Sequence, residues 1–189
     1  MFRTPSLSFA AKLMAYYDAY IAEVQRSHVL VDAVDFFRLD ATRRLELDRR
    51  AEFGQFMTPP STARLMASMF VADSEHLSLL DAGAGVGSLT AAFIGEICER
   101  PRRPSSIHVT AYEIDKSLAK YLKSTLDQCR AVCQSSGIEF ECELVESDFI
   151  EDGTRSLRHE MFMAPRRFDC AILNSHTRKS IATPDAISA

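Results

Sequence analysis

Four short segments of this 189-residue chain place side chains and glycines at spacings suited to ligand chemistry. The strongest signal is Leu79-Leu80-Asp81-Ala82-Gly83-Ala84-Gly85-Val86-Gly87. An apolar strand here runs into a glycine-rich turn that opens a helix. Glycine lets the backbone take positive φ and approach a ligand closely. The helix N-terminus offers unpaired N–H groups. A dinucleotide fingerprint requires G-x-G-x-x-G, and Ser88 stands where its third glycine belongs. Asp81 lies two residues before Gly83. A carboxylate there repels a pyrophosphate and suits a ligand that carries an ammonium group. A plain tight turn after a strand is the bland alternative.

The second segment is Ala111-Tyr112-Glu113-Ile114-Asp115, at the end of a second strand. A carboxylate at that place can accept both hydroxyls of a ribose through its two oxygens. Alone it is weak, since strand-end carboxylates are common and usually solvated. One crossover helix after the glycine turn, it gains weight. The third is Ser147-Asp148-Phe149-Ile150, after a third strand. Asp148 can accept from an exocyclic amine, and Phe149 can stack on a purine. The fourth lies upstream, Phe53-Gly54-Gln55-Phe56-Met57-Thr58-Pro59-Pro60. Taken alone it is a helix-breaking linker with an aromatic staple.

The elements that must hold these segments follow from periodicity. Residues 7–50 read as helical, with Leu13, Tyr16, Tyr17, Tyr20 and Val24 at helical spacing. A less regular run follows through Val31, Val34 and Phe37. Its heptads are not sustained, which favours a packing appendage over a coiled coil. Gly54 and Pro59-Pro60 break the helix, and Ser61 or Thr62 is expected to cap a new one over about 63–70. Strands are expected over 77–80, 107–114, 138–145 and 168–173, with helices over 89–98 and about 116–134. Strand alternating with helix is the pattern of a parallel sheet with crossovers. The first three segments then sit at the carboxyl ends of consecutive strands, where open α/β sheets bind ligands.

Composition narrows the class. Hydrophobic residues make up 47% and charged residues 25%, an ordinary globular balance that excludes disorder as the overall state. No apolar run is long enough to span a membrane. The first residues lack a leader's apolar stretch and cleavage site. The five cysteines are odd in number and form no C-x-x-C pair, so neither a disulfide framework nor a metal site is expected. A cytoplasmic location is the expectation. Cys129 and Cys133 read as small buried apolar residues. The net charge of −4 argues against binding nucleic acid by bulk electrostatics.

Taken together, the four segments resemble an S-adenosylmethionine-dependent DNA methyltransferase of the adenine-N6, restriction–modification type. The resemblance runs from about Arg43 to Asn174. The segment ahead of the glycine turn is its specific part. It is similar to the family's stretch over the cofactor's methionine end, which implies cofactor contacts from Phe56, Thr58 and Pro59. Asp81, Gly83 and Gly85 match the family's cofactor turn. Glu113, with Ile114 after it, matches the ribose-binding position. Asp148 and Phe149 match the pair that holds the cofactor adenine. The implied fold is a Rossmann-like class I methyltransferase sheet of about four parallel strands, incomplete and preceded by a helical segment.

The family's catalytic motif is Asn-Pro-Pro-Tyr after the fourth strand. Its Asn accepts from the target adenine amine and its aromatic residue stacks on a base flipped from double-stranded DNA. The chain reaches Asn174, the implied catalytic residue, and continues with Ser175, His176 and Thr177 instead. Degenerate codons for 175–185, regrouped one base earlier, permit Pro-Tyr and then Lys-Ile, as the family continues. The expected division is therefore a helical segment over 1–52, a cofactor-binding core over 53–174, and an aberrant or disordered tail over 175–189, as in a truncated or frameshifted fragment. The alternatives are a catalytically inactive cofactor-binding remnant, or a methyltransferase acting on RNA or protein. Oligomeric state and recognised DNA sequence are not written in these residues.

Overall fold

The computed structural model describes residues 29–44, 57–71, 73–159 and 166–173. A first helix, α1, covers 29–44. It is followed by α2 (Pro60–Ser68), β1 (His76–Ala82), α3 (Ser88–Glu99), β2 (Ser106–Tyr112) and α4 (Lys116–Ser135). The described chain closes with β3 (Glu139–Val145), α5 (Phe149–His159) and β4 (Cys170–Ile172). The four strands form one sheet in the order β3-β2-β1-β4, parallel throughout.

Central β1 is apolar on both faces, with Leu77, Leu79 and Leu80 all buried, as a parallel strand covered on both sides must be. Helix α3 is apolar almost all round, and Ala91, Phe93, Ile94 and Ile97 are fully enclosed. It packs against both α2 and α4. Burying each large apolar side chain of this kind contributes about 1.5–3 kcal/mol. Helix α4 keeps one buried stripe, Leu118, Leu122, Leu126, Cys129 and Cys133, which is the 3.6-residue period of a helix with one wet face. Strand β3 is an edge among the described residues. It exposes Glu139 and Glu141 while Phe140 turns inward, and charge on an edge discourages pairing with a second chain.

Two contacts fix the ends of this arrangement. Asp169 accepts from the Ser78 amide at 2.8 Å and from the Ser78 hydroxyl at 2.6 Å, clipping the entry of β4 to β1. Those donors hold the Asp169 carboxyl below its ordinary value. Helix α1 joins α2 through Asp32 and Arg64 at 2.6 Å. It joins α4 through Phe37 and Tyr121, whose ring centroids are 5.8 Å apart, and through a Tyr121 hydroxyl bond to Asp40.

The elements differ from expectation in three places. Helix α2 starts at Pro60, with Pro59 at its N-cap and no side-chain cap bond, so Ser61 and Thr62 lie inside the first turn. Proline is already fixed at helical φ and loses no needed N–H at that position. Helix α5 lies where no helix was expected, between the third and fourth expected strands. Strand β4 is three residues long rather than six. Residues 7–28 and 45–50 of the expected first helical stretch, and the tail 175–189, lie outside the described residues. Cys129 and Cys133 are buried thiols; burial pushes Cys129 far up, and the neighbouring Cys98 thiol, with burial, does the same to Cys133. Among the described residues there is no metal-binding cluster and no helix long and apolar enough to cross a membrane.

Candidate functional site

The sheet order fixes where a ligand can sit. From β1 the chain steps outward to β2 and β3, then returns past β1 to β4. Right-handed crossovers therefore put α3 and α4 on one face and α5 on the other. The reversal lies between β1 and β4, and the crevice beyond their carboxyl ends is the usual ligand site of such a sheet.

The glycine turn opens into that crevice. Gly83, Gly85 and Gly87 have φ of 141°, 59° and 89°, values that side chains rarely adopt. Beside Gly83 and Gly85 a Cβ would meet nothing within 4 Å, so the turn leaves open space there. At Gly87 a Cβ would stand 2.7 Å from Thr125 Cγ2. This third glycine lets α3 start against α4, and its function is packing.

Asp81 lies near the end of β1 under this turn and is completely buried. Its Oδ2 accepts from the Thr90 hydroxyl at 2.6 Å. Its Oδ1 is buried with no hydrogen-bond partner. Burial pushes the carboxyl up to about 7, the Glu113 charge adds to the rise, and the Thr90 bonds oppose it. The sequence suggested a carboxylate beside a ligand's ammonium group. The structure instead sets that charge beneath the turn, out of contact with solvent.

Glu113 follows β2 and is also buried. Its Oε2 accepts from the Gly85 amide and its Oε1 from the Asp115 amide, each at 2.8 Å. The carboxylate thus ties the glycine turn to the next strand's end. Each oxygen keeps one lone-pair direction for a further donor. Burial raises its pKa and the two amides lower it. Ile114 presents an apolar side chain that is 55% exposed. Asp115 caps α4 through the Ser117 amide at 2.8 Å.

Asp148 follows β3 and is exposed. Its Oδ1 accepts from the amides of Ile150 at 2.8 Å and Glu151 at 3.0 Å, which makes it the N-terminal cap of α5. Oδ2 remains for another donor. The Phe149 ring meets Tyr112 edge-on, centroids 5.2 Å apart, and Tyr112 bonds Asp152 of α5 at 3.2 Å.

The structure therefore brings Asp81, Gly83, Gly85 and Glu113 together around the glycine turn, with Gly85 bonded to Glu113 and Asp81 bonded to Thr90, and sets Asp148 and Phe149 at the next strand end. Thr58 is buried and Pro59 exposed at the head of α2, the helix that packs on α3. Phe56 and Asn174 lie outside the described residues. Sequence reasoning missed Thr90, Tyr112 and Thr125. Thr90 is the lone hydroxyl in the apolar run Leu89–Ile94, and Thr125 sits on the buried stripe of α4. A polar residue on an apolar face is the signal that points to both.

No family profile matches the chain. A Bacillus cereus O-methyltransferase solved with SAH aligns structurally at a TM-score of 0.44 and 13% identity, over 78% of this chain and 54% of that one. The Type II methyltransferase M.PstI of Providencia stuartii is 34% identical over 147 residues, 78% of this chain and 28% of that protein. The Type II methyltransferase M.BsuBI of Bacillus subtilis is 34% identical over 154 residues, 79% of this chain and 29% of that protein. By sequence, the chain is similar to Type II methyltransferases over more than three quarters of its length, and it spans under a third of the relatives it matches.

Proposed function

We propose that these residues form the S-adenosylmethionine-binding half of an adenine-N6 DNA methyltransferase of restriction–modification type. One observation carries the reading. Carboxylates stand at the carboxyl ends of three neighbouring parallel strands around an open glycine turn: Asp81 near the end of β1, Glu113 just after β2, Asp148 after β3. That set repels a pyrophosphate. It suits a ligand with two ribose hydroxyls, an exocyclic amine and a positive charge.

The residues fit S-adenosylmethionine in kind. Gly83 and Gly85 leave room for its close approach. Glu113 takes the ribose hydroxyls on its remaining lone pairs. Asp148 Oδ2 takes the adenine amine, with Ile114 and Phe149 as apolar walls. Thr58 and Pro59 cover the methionine end, the place the resemblance also assigns to Phe56. Asp81 acts by its charge through the buried turn, where a low dielectric preserves the attraction. When bound, the cofactor supplies a methyl group on a positively charged sulfur. Asn174 accepts from the target amine of double-stranded DNA and so aligns its nitrogen. The run Ser175-His176-Thr177 favours a second reading, a cofactor-binding remnant that no longer transfers the group.

Calorimetry on the purified chain tests the cofactor assignment. S-adenosylmethionine is expected to bind weakly, and Asp81→Ala and Glu113→Ala to weaken it. Equal binding by all three proteins, or tighter binding of NAD, overturns the reading.

A further inference from the structure

We propose that Thr90 is a positioning residue of this site, its hydroxyl holding the Asp81 carboxylate in one orientation beneath the glycine turn. The inference rests on the cofactor reading above and adds a residue to it. A threonine in a helix ordinarily turns its hydroxyl back to the carbonyl four residues earlier. Thr90 is the third residue of α3, so the residue four before it, Val86, lies outside the helix, and its carbonyl accepts from the Thr125 hydroxyl of α4 at 2.7 Å. Thr90, wholly buried, donates instead to Asp81 Oδ2 at 2.6 Å. Two buried threonines thus divide the work. Thr125 holds the turn's backbone from α4, and Thr90 holds its carboxylate from α3. The bond goes to one oxygen only and leaves Oδ1 without a partner, so the orientation of the whole group depends on Thr90.

Few other groups act on Asp81. Its neighbours across the sheet, Ala111 on β2 and Ile172 on β4, are uncharged. Glu113 is the acid that opposes its ionisation, and the bonds from Thr90 favour it. A hydrogen bond to the charged form lowers a carboxyl pKa. Removing the hydroxyl therefore keeps Asp81 protonated to higher pH, while a serine in its place restores the bond.

The test uses the full 189-residue chain, Thr90→Val and Thr90→Ser, with S-adenosylmethionine as the probe and pH as the variable. Carboxyl-carbon NMR follows Asp81 in the free protein, and circular dichroism checks the fold. Thr90→Val is expected to raise the Asp81 midpoint by about one pH unit, and so to weaken binding at pH 7 by about fivefold. At pH 9 its affinity should approach that of the unmodified chain, and Thr90→Ser should match the unmodified chain throughout. An Asp81 midpoint that does not move in Thr90→Val overturns the proposal whether or not the probe binds. A loss of binding equal at all pH values also overturns it, since that is what a packing defect produces. An unmodified chain that ignores S-adenosylmethionine while its Asp81 midpoint does respond to Thr90 overturns the cofactor reading and the positioning role with it, leaving only the hydrogen bond.

Discussion

Asp81 is where the site's chemistry and the fold's stability oppose each other. Its folded pKa of about 7 lies above the ordinary carboxylate value, because burial disfavours the charge. The neutral form is then the one the folded state prefers. This contribution to stability is full below about pH 4 and is lost as pH rises to about 7. Between pH 5 and 8 it falls by roughly 3 kcal/mol at a pKa rise of this size. Asp81→Asn, which cannot ionise, should lack that fall. Urea unfolding of both proteins at the two pH values checks it, and parallel losses in the two proteins would contradict the buried charge. A cationic ligand reverses the preference, so its affinity should climb as pH rises through 7. Gly87 offers a second test at this scale. A Cβ there meets Thr125 Cγ2 at 2.7 Å and Leu122 Cδ1 at 3.0 Å, on a backbone at φ 89°. Thr125 cannot swing aside without losing its bond to the Val86 carbonyl. Gly137 has a similar φ of 75° and nothing within 4 Å. Gly137→Ala should cost about 1 kcal/mol of backbone strain, and Gly87→Ala about 1–3 kcal/mol more. Equal denaturation midpoints for the two variants would show that the contact with α4 does not matter.

Helix α5 begins on a residue with two tasks. Asp148 Oδ1 holds the first amides of the helix, and Oδ2 faces no partner among the described residues. Removing the cap with Asp148→Ala should destabilise the chain by about 1 kcal/mol. Asp148→Asn keeps the cap and removes the charge, so it should leave stability almost unchanged. If Oδ2 takes an adenine amine, Asp148→Asn should still weaken S-adenosylmethionine binding several-fold. Unfolding and calorimetry on the two variants separate the tasks, and full binding by both variants would restrict Asp148 to capping. The same helix shows what the sequence hides. The strands and helices from β1 to β3 were legible to within a residue or two because each carries a strong period or a continuous apolar run. Helix α5 was not, because Phe149–His159 is short, mostly polar and carries Gly153 near its middle. The start of α2 was misplaced for a related reason, since proline serves both to break one helix and to start the next. Of the site, the glycine turn and the three strand-end carboxylates were legible from spacing. Their bonding was not. Nothing local says that Glu113 will hold Gly85 across 28 residues of chain, or that Asp81 will be sealed from solvent. Those facts come from the parallel register of β1 with β2, which sets Ala82 beside Tyr112.

At the scale of the whole molecule, the chain corresponds to 28–29% of the relatives it matches. The described residues contain the sheet's switch point and three strand-end carboxylates, enough to build one side of a ligand crevice. Strand β4 brings the backbone to Leu173 beside the glycine turn, with Ile172 opposite Asp81 in register. The next residue is Asn174, and after it comes Ser175-His176-Thr177, without an aromatic ring. A base drawn out of a duplex needs a stacking partner worth about 1–3 kcal/mol to stay out. Holding the DNA itself requires cations against phosphates, and this chain carries 22 basic against 26 acidic side chains. Cofactor binding and methyl transfer should therefore separate in this polypeptide. The chain is expected to bind S-adenosylmethionine and to transfer no detectable methyl group to DNA by itself. Incubation with tritiated S-adenosylmethionine and mixed-sequence duplex DNA, followed by nucleoside analysis, measures this directly. Label at adenine N6 above the level given by Asp81→Ala would refute the separation. It would also mean that Asn174 suffices without the aromatic residue expected after it.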